Sequence, residues 1–337
     1  MRVELTIDRL GAQGDGIAES PGGPLFVPFT LPGERVMAEV ARDGKHADCL
    51  AVLDASPERV APVCPHFGAC GGCSLQHIET QAYLAWKREL VVQALASRGL
   101  DVPVEPVRPV PLGSRRRATF SLERRGKDAV LGYRRARSHD TIETEVCPIL
   151  SPAIVAALPA LKAMLFPLLG SRSEARVGIT ETENGLDVVL EGAPPPETAL
   201  AKLAGTAGAQ GIARITVGDE SVMLTPPTLR LGRAEVRLSP GAFLQASPAA
   251  EAEVVALVCE GVGKAKRLAD LFSGLGTFSF ALAESASVDA YDNSAEALAA
   301  LEEAARYTPK LKPMRGYRRD LLQDPLGWQQ LKPYDAV

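Results

Sequence analysis

The sequence predicts a multidomain α/β protein: a small N-terminal β-barrel, a central α/β domain, and an incomplete C-terminal doubly wound α/β domain. Three observations carry this. Short alternating segments between glycines and prolines fill the first 56 residues, four cysteines (Cys64, Cys70, Cys73, Cys147) bracket a basic segment, and a strand–glycine loop–helix–strand–acid order follows Lys264. The expected boundaries are 1–56, 57–240 and 241–337, and 337 residues suffice for two or three domains.

In the first segment Val3, Leu5 and Ile7 alternate with polar neighbours, which is strand period. Gly11, Gly14, Gly16, Gly22, Gly23, Pro28, Pro32 and Gly33 punctuate the chain up to a further strand at Glu34–Val40. Oligonucleotide-binding barrels are built from such short strands. Residues 1–56 nevertheless carry nine acidic and five basic side chains, so by charge alone this is not an RNA clamp, and a structural or protein-docking barrel is the alternative.

The next stretch reads Cys64-Pro-His-Phe-Gly-Ala-Cys70-Gly-Gly-Cys73-Ser-Leu-Gln-His77, and Cys147 lies 74 positions beyond Cys73. Four thiolates suit a tetrahedral zinc or an iron–sulfur cluster. A zinc ribbon presents two short C-x2-C knuckles and this chain has one, so the spacing favours the cluster; zinc and a disulfide remain the alternatives. Gln81–Arg98 reads as a helix with Gly99 as its C-terminal cap, and Trp86 within it as a core residue.

From Arg108 to Arg137 ten basic residues face two acidic ones, a net charge of +8. Alternation predicts a hairpin turning at Gly126-Lys127-Asp128. A basic hairpin carrying aromatics suits phosphates and stacked bases. Its candidates are Arg115, Arg116, Arg117, Phe120, Arg124, Arg125, Tyr133, Arg134 and Arg135; a solvated charged face is the plainer alternative. Further on, a helix is expected at Pro152–Leu169 and a hairpin around Asn184-Gly185. A loop at Pro194–Pro196, a helix at Glu197–Leu203 and strands near Arg214 and Val236 complete the domain.

In the last segment Arg267–Phe272 reads as an apolar strand, Ser273-Gly-Leu-Gly-Thr277 as a glycine loop and Phe278–Glu284 as a helix opening. A second strand, Ser287–Tyr291, ends at Asp292 before a helix from Ser294. Gly274 and Gly276 permit close backbone approach, and an acid at the position of Asp292 takes ribose hydroxyls. Asp270 before the loop favours S-adenosylmethionine over a dinucleotide, because a carboxylate there repels a pyrophosphate and accepts from an amino group.

With 46 % hydrophobic and 23 % charged residues the chain is not of disordered composition. No apolar run approaches the roughly 20 residues of a membrane span, and the N-terminus lacks a signal-peptide core. Six cysteines without an export signal point to the reducing cytoplasm.

These motifs together resemble the RNA uracil-5-methyltransferases, in the branch acting on 23S ribosomal RNA that carries an N-terminal TRAM barrel and a [4Fe–4S] cluster. The carriers are Phe26-Val-Pro28 with Leu31-Pro-Gly-Glu34, Ser56-Pro-Glu-Arg-Val60, Cys70-Gly-Gly-Cys73-Ser-Leu-Gln-His77, Phe243-Leu-Gln245 and Asp270-Leu-Phe-Ser-Gly-Leu-Gly-Thr-Phe278. The resemblance implies that Cys64, Cys70, Cys73 and Cys147 ligate the cluster. It also implies that Gln245, Phe272, Thr277, Asp292 and Asp320 line the S-adenosylmethionine pocket. The expected partner is a single-stranded or loop segment of 23S RNA, with no membrane and a monomeric chain.

The sequence departs from that pattern in places. Asp292 stands where Glu is usual, and Ser273 and Thr277 where Cys and Asn are common. The family's Asp-Pro-Pro-Arg loop, nucleophilic cysteine and general-base glutamate have no counterpart before Val337, so the sequence reads as a C-terminally truncated copy with no catalytic residue of its own. A non-catalytic iron–sulfur RNA-binding protein is the alternative function.

Overall fold

The computed structural model describes every residue except 171, 193–202, 204, 206 and 209. The expected Pro194–Pro196 loop and, apart from Leu203, the Glu197–Leu203 helix fall on residues outside those described. The chain forms two compact units, Met1–Pro109 with Tyr133–Ile142, and Val110–Gly132 with Glu143–Val337.

The first unit opens with six strands: β1 (Arg2–Thr6), β2 (Arg9–Leu10), β3 (Gly16–Ala18), β4 (Leu25–Val27), β5 (Arg35–Val40) and β6 (Ala47–Asp54). They form two three-stranded antiparallel sheets, β1-β5-β6 and β2-β3-β4, over a core of Ile7, Ala18, Val27, Val36, Ala38 and Ala47. The expected barrel is not found closed among the described residues. Ladders of two or three residues in β2–β4 are too short to continue round, and the turns between them interrupt the pairing. Gly16 is obligatory within this packing, since a Cβ there would overlap the Thr30 hydroxyl. The turn ahead of β5 is fixed by buried Glu34, which accepts from the Leu31 N–H and pairs with Arg59.

Helix α1 (Thr80–Ala96) is capped by Glu79, whose carboxylate accepts from the N–H groups of Gln81 and Ala82. No residue of α1 is buried, so Trp86 is not a core residue as expected; it lies half-buried beside Tyr83 and Lys87.

Strands β7 (Arg117–Arg125), β8 (Asp128–Arg134), β9 (Thr141–Glu143), β10 (Glu174–Thr182), β11 (Gly185–Glu191), β12 (Ile212–Val217) and β13 (Glu220–Met223) make a seven-stranded sheet, ordered β13-β12-β11-β10-β7-β8-β9. The hairpin expected around Asn184-Gly185 forms, with Glu183 and Asn184 in the turn and Gly185 opening β11: Gly185 takes φ +132°, and a Cβ would meet the Gly211 carbonyl at 2.6 Å. Helix α2 (Pro152–Leu165), continued by a 3-10 turn to Leu169, buries Ile154, Leu158, Leu161 and Leu165 within the second unit. By length and composition alone Pro152–Leu169 is apolar enough to cross a membrane, a test that a core helix packed as this one is also passes.

The hairpin β14 (Thr228–Leu231)–β15 (Ala234–Arg237) and helix α3 (Pro248–Val262) lead into a parallel sheet of β16 (Arg267–Leu271), β17 (Ser287–Asp292) and β18 (Met314–Arg318). Helices α4 (Thr277–Leu282) and α5 (Ala295–Tyr307) make the crossovers. Ala336 bridges Leu268 in parallel on the free side of β16, and its carbonyl accepts from the Ala269 N–H. The resulting order, third–second–first–fourth, is that of a doubly wound nucleotide-binding sheet. Its crevice lies at the carboxyl end of the first strand, where Phe272–Thr277 sit.

Candidate cofactor pocket and RNA-facing residues

The glycine loop is built by the residue types the sequence supplies there. Phe272 adopts φ +61°, Gly274 +52° and Gly276 +92°, so the chain reverses sharply off β16. At Gly276 a Cβ would strike Leu301 at 2.9 Å and Phe280 at 3.0 Å, which is why the loop can lie so close to α4 and α5. The loop is then held from two sides. Asp292 Oδ2 accepts from the Gly274 N–H at 2.8 Å and its Oδ1 from the Ser294 N–H at 2.9 Å, while the Ser273 N–H donates to the Tyr291 carbonyl. On the other side Ser279 Oγ donates to Asp270 Oδ2 at 2.6 Å. Burial pushes the Asp270 carboxyl above its usual range.

The other expected pocket residues scatter more widely. Asp320, half-buried just past β18, accepts from the Leu322 and Gln323 N–H groups. Phe272 is 61 % exposed and offers an open ring beside the loop. Gln245 is exposed, and its carbonyl accepts from Arg116 Nε. Thr277 lines a cleft of about 680 Å3 together with Arg116, Glu181, Thr182, Glu251 and Val255. Sequence reasoning missed Ser279, whose only signal is a hydroxyl in the first turn of a helix, Ser294, whose signal is its place as the N-cap of α5, and Glu251, which has none.

The basic hairpin forms with its turn at Gly126-Lys127, but its candidates divide. Phe120 is 2 % exposed in the sheet core and cannot stack on a base; its place in β7 alternates with exposed Thr119. Arg116 is likewise withdrawn: its guanidinium pairs with Glu251 at 2.7 Å and both side chains are nearly buried. Burial raises the Glu251 carboxyl against the pull of Arg116. Arg124 lies over the Phe166 ring and donates to the Gly170 carbonyl, so it anchors the end of α2. Arg115 and Arg125 are exposed, Arg125 beside Glu123, and Arg117 sits over the exposed ring of Phe243 at 5.5 Å.

In the first unit Tyr133 and Arg134 are half-buried and Arg135 is exposed. This strand end is joined to the cysteine loop: the Gly71 N–H donates to the Arg134 carbonyl, the Ala136 N–H to the Ala69 carbonyl, and Cys70 bridges Arg135. Cys64, Cys70 and Cys73 are half-buried on that loop, and none of the six cysteines forms a disulfide. The Gly72 N–H points at Cys70 Sγ at 3.4 Å, and the Gln76 side-chain carbonyl accepts from the Cys64 N–H. A soft donor set with an N–H···S bond suits a thiolate-bound metal centre. Among the described residues, however, no three His, Cys, Asp or Glu side chains gather at one ion position. Cys147, half-buried, belongs to the second unit.

No family model matches the sequence. Among curated proteins the chain is 42 % identical, over 99 % of its length and 80 % of the relative's, to a Brucella suis protein described as an uncharacterized RNA methyltransferase. A Caulobacter vibrioides protein of the same description is also 42 % identical, over 99 % of this chain and 82 % of its own. The 23S rRNA (uracil(1939)-C(5))-methyltransferase of Aeromonas salmonicida is 30 % identical over 97 % of this chain and 78 % of its own. Among solved structures, the Pyrococcus abyssi tRNA (uracil-54, C5)-methyltransferase in complex with S-adenosyl-L-homocysteine superposes with a TM-score of 0.70 at 19 % identity. That match covers 93 % of this chain and 79 % of the other, and establishes the shared fold. With such relatives along nearly its whole length, the chain belongs to the RNA uracil-C5 methyltransferase family.

Proposed function

We propose that the protein methylates C5 of a uridine in 23S ribosomal RNA in the cytoplasm, with S-adenosylmethionine as donor. The observation that carries the reading is Asp292, at the carboxyl end of the second strand of a third–second–first–fourth sheet, holding the glycine loop through Gly274. S-adenosylmethionine, when bound, supplies an electrophilic methyl group. In this chain Asp292 would accept from the ribose hydroxyls with its remaining lone pairs, and Gly274, Gly276 and Thr277 would let the backbone approach. Phe272, Asp320 and Gln245 would line the rest of the pocket, and the exposed arginines of the β7–β8 hairpin would hold the unpaired target segment.

Uracil C5 is too weak a nucleophile to take a methyl group unaided, so a covalent addition at C6 is required. Neither spare cysteine is assigned that task. Burial raises the thiols of both Cys49 and Cys259, the opposite of what a nucleophilic thiolate needs. Cys64, Cys70, Cys73 and Cys147 are proposed to hold a [4Fe–4S] cluster with a structural role. Support comes from their spacing and from the pairing of the cysteine loop with the end of β8. The test is transfer of labelled methyl from S-adenosylmethionine to a 23S transcript by the purified full-length protein. Label recovered as 5-methyluridine supports the reading, and label on any other nucleoside refutes it.

A further inference from the structure

We propose that Asp270 is a positioning residue, which fixes the glycine loop by tying the first turn of helix α4 to β16 through Ser279 and does not itself contact the cofactor. The inference rests on the cofactor reading above and assigns one carboxylate within it. The first turn of any helix leaves N–H groups without intrahelical partners. In α4 the N-terminal residue is Gly276, which has no side chain to accept from them. Asp270 steadies that turn from the neighbouring strand instead, accepting from the Ser279 hydroxyl at 2.6 Å. Ser279 is fully buried and Asp270 is 8 % exposed.

The surroundings of Asp270 point the same way. It borders a small cavity of about 350 Å3, lined by residues such as Val258, Val262, Leu268, Phe278, Leu282 and Ala336. Apart from Asp270, every lining side chain there is aliphatic or aromatic. The ammonium of an amino acid needs several acceptors, and among the side chains of that cavity Asp270 is the one acceptor. Asp292 is the opposite case: half-buried at the strand end, it bonds the loop at Gly274 directly. The two acids therefore hold the loop between them, and Asp270 works through its capacity to accept hydrogen bonds. Its negative charge is dispensable.

The distinction is testable because asparagine keeps an acceptor and loses the charge. Full-length wild type, Asp270→Asn, Asp270→Ala and Ser279→Ala are titrated calorimetrically with S-adenosylhomocysteine and with its analogue lacking the amino group. Amide hydrogen exchange over residues 273–280 is followed without ligand. We expect Asp270→Asn to bind within about threefold of wild type, and Asp270→Ala at least about tenfold more weakly with faster exchange, since a buried donor loses its partner. The ratio of affinities for the two ligands stays the same in wild type and Asp270→Asn. A tenfold or greater loss in Asp270→Asn, with that ratio collapsing toward one, would show direct contact with the amine and overturn the proposal. Should Asp270→Ala not fold, the Asn and Ser279→Ala variants decide. Wild type that binds neither ligand overturns the cofactor reading itself, while faster exchange in Ser279→Ala and Asp270→Ala against unchanged exchange in Asp270→Asn still upholds the positioning role, and unchanged exchange in Ser279→Ala overturns it.

Discussion

Asp292 and Gly274 lie 18 residues apart on different sides of a helix, and a 2.8 Å hydrogen bond from the glycine N–H to the carboxylate joins them. This bond makes the acid after the second strand part of the loop's architecture as well as its ligand surface. Asp292→Ala removes both contributions, and calorimetry should show S-adenosylhomocysteine binding at least about tenfold weaker. Asp292→Glu restores the longer carboxylate usual in the resembling family and should stay within a few-fold of wild type. Equal losses in both variants would mean that the carboxylate does not reach the ligand.

The hairpin arginines separate by burial. Arg115→Ala, Arg125→Ala and Lys127→Ala together should leave the melting temperature nearly unchanged. They should flatten the slope of log affinity for single-stranded RNA against log salt by roughly two, at about 0.7 for each phosphate no longer neutralised. Arg116→Ala should behave differently, because it strands the carboxylate of Glu251 in a buried site and costs roughly 3 kcal/mol of stability. An unchanged salt slope in the triple variant would make the hairpin a solvated face.

The doubly wound segment and the hairpins were legible because their signals are local. The Asn184-Gly185 turn, Gly276 and Asp292 each announce a backbone need within a few residues. Burial of Phe120 and Arg116 was not legible. Charge density identified the hairpin, but which face of β7 meets the core depends on β10, more than fifty residues away. Closure of the N-terminal strands was not legible for a related reason, since strand period predicts strands and says nothing of whether their ladders are long enough to close. Nor could spacing reveal that Cys70 pairs with Arg135; that bridge is made by backbone groups, which every residue carries.

His77 is 1 % exposed, beside the rings of Phe67 and Phe29, and burial pushes its imidazole down to about 4. The folded value lies below the unfolded one, near 6.5. The stability this group confers is therefore complete above about pH 6.5 and declines as pH falls toward 4, by roughly 2–3 kcal/mol in all. Urea unfolding of wild type and His77→Phe between pH 7 and pH 4 should show a shallower decline in the variant. Parallel curves would place the pH sensitivity elsewhere.

The cysteine assignment predicts a brown, oxygen-sensitive chromophore with about four irons per chain in anaerobically purified protein, lost in Cys70→Ser and in Cys147→Ser. Stoichiometric zinc in place of iron would contradict it. Loss of the metal should also loosen the end of β8, read as faster amide exchange at Arg134–Ala136, because that strand end is hydrogen-bonded to the cysteine loop.

The central claim is tested most directly by the fate of the methyl group. Full-length protein is incubated with a 23S transcript and S-adenosylmethionine carrying a labelled methyl, and the RNA is digested to nucleosides and resolved by mass spectrometry. The account predicts label in 5-methyluridine alone, at one position of the transcript, and its disappearance when that uridine is replaced by cytidine. Label in a methylated guanosine, adenosine or cytidine, or spread over many uridines without preference, would contradict it.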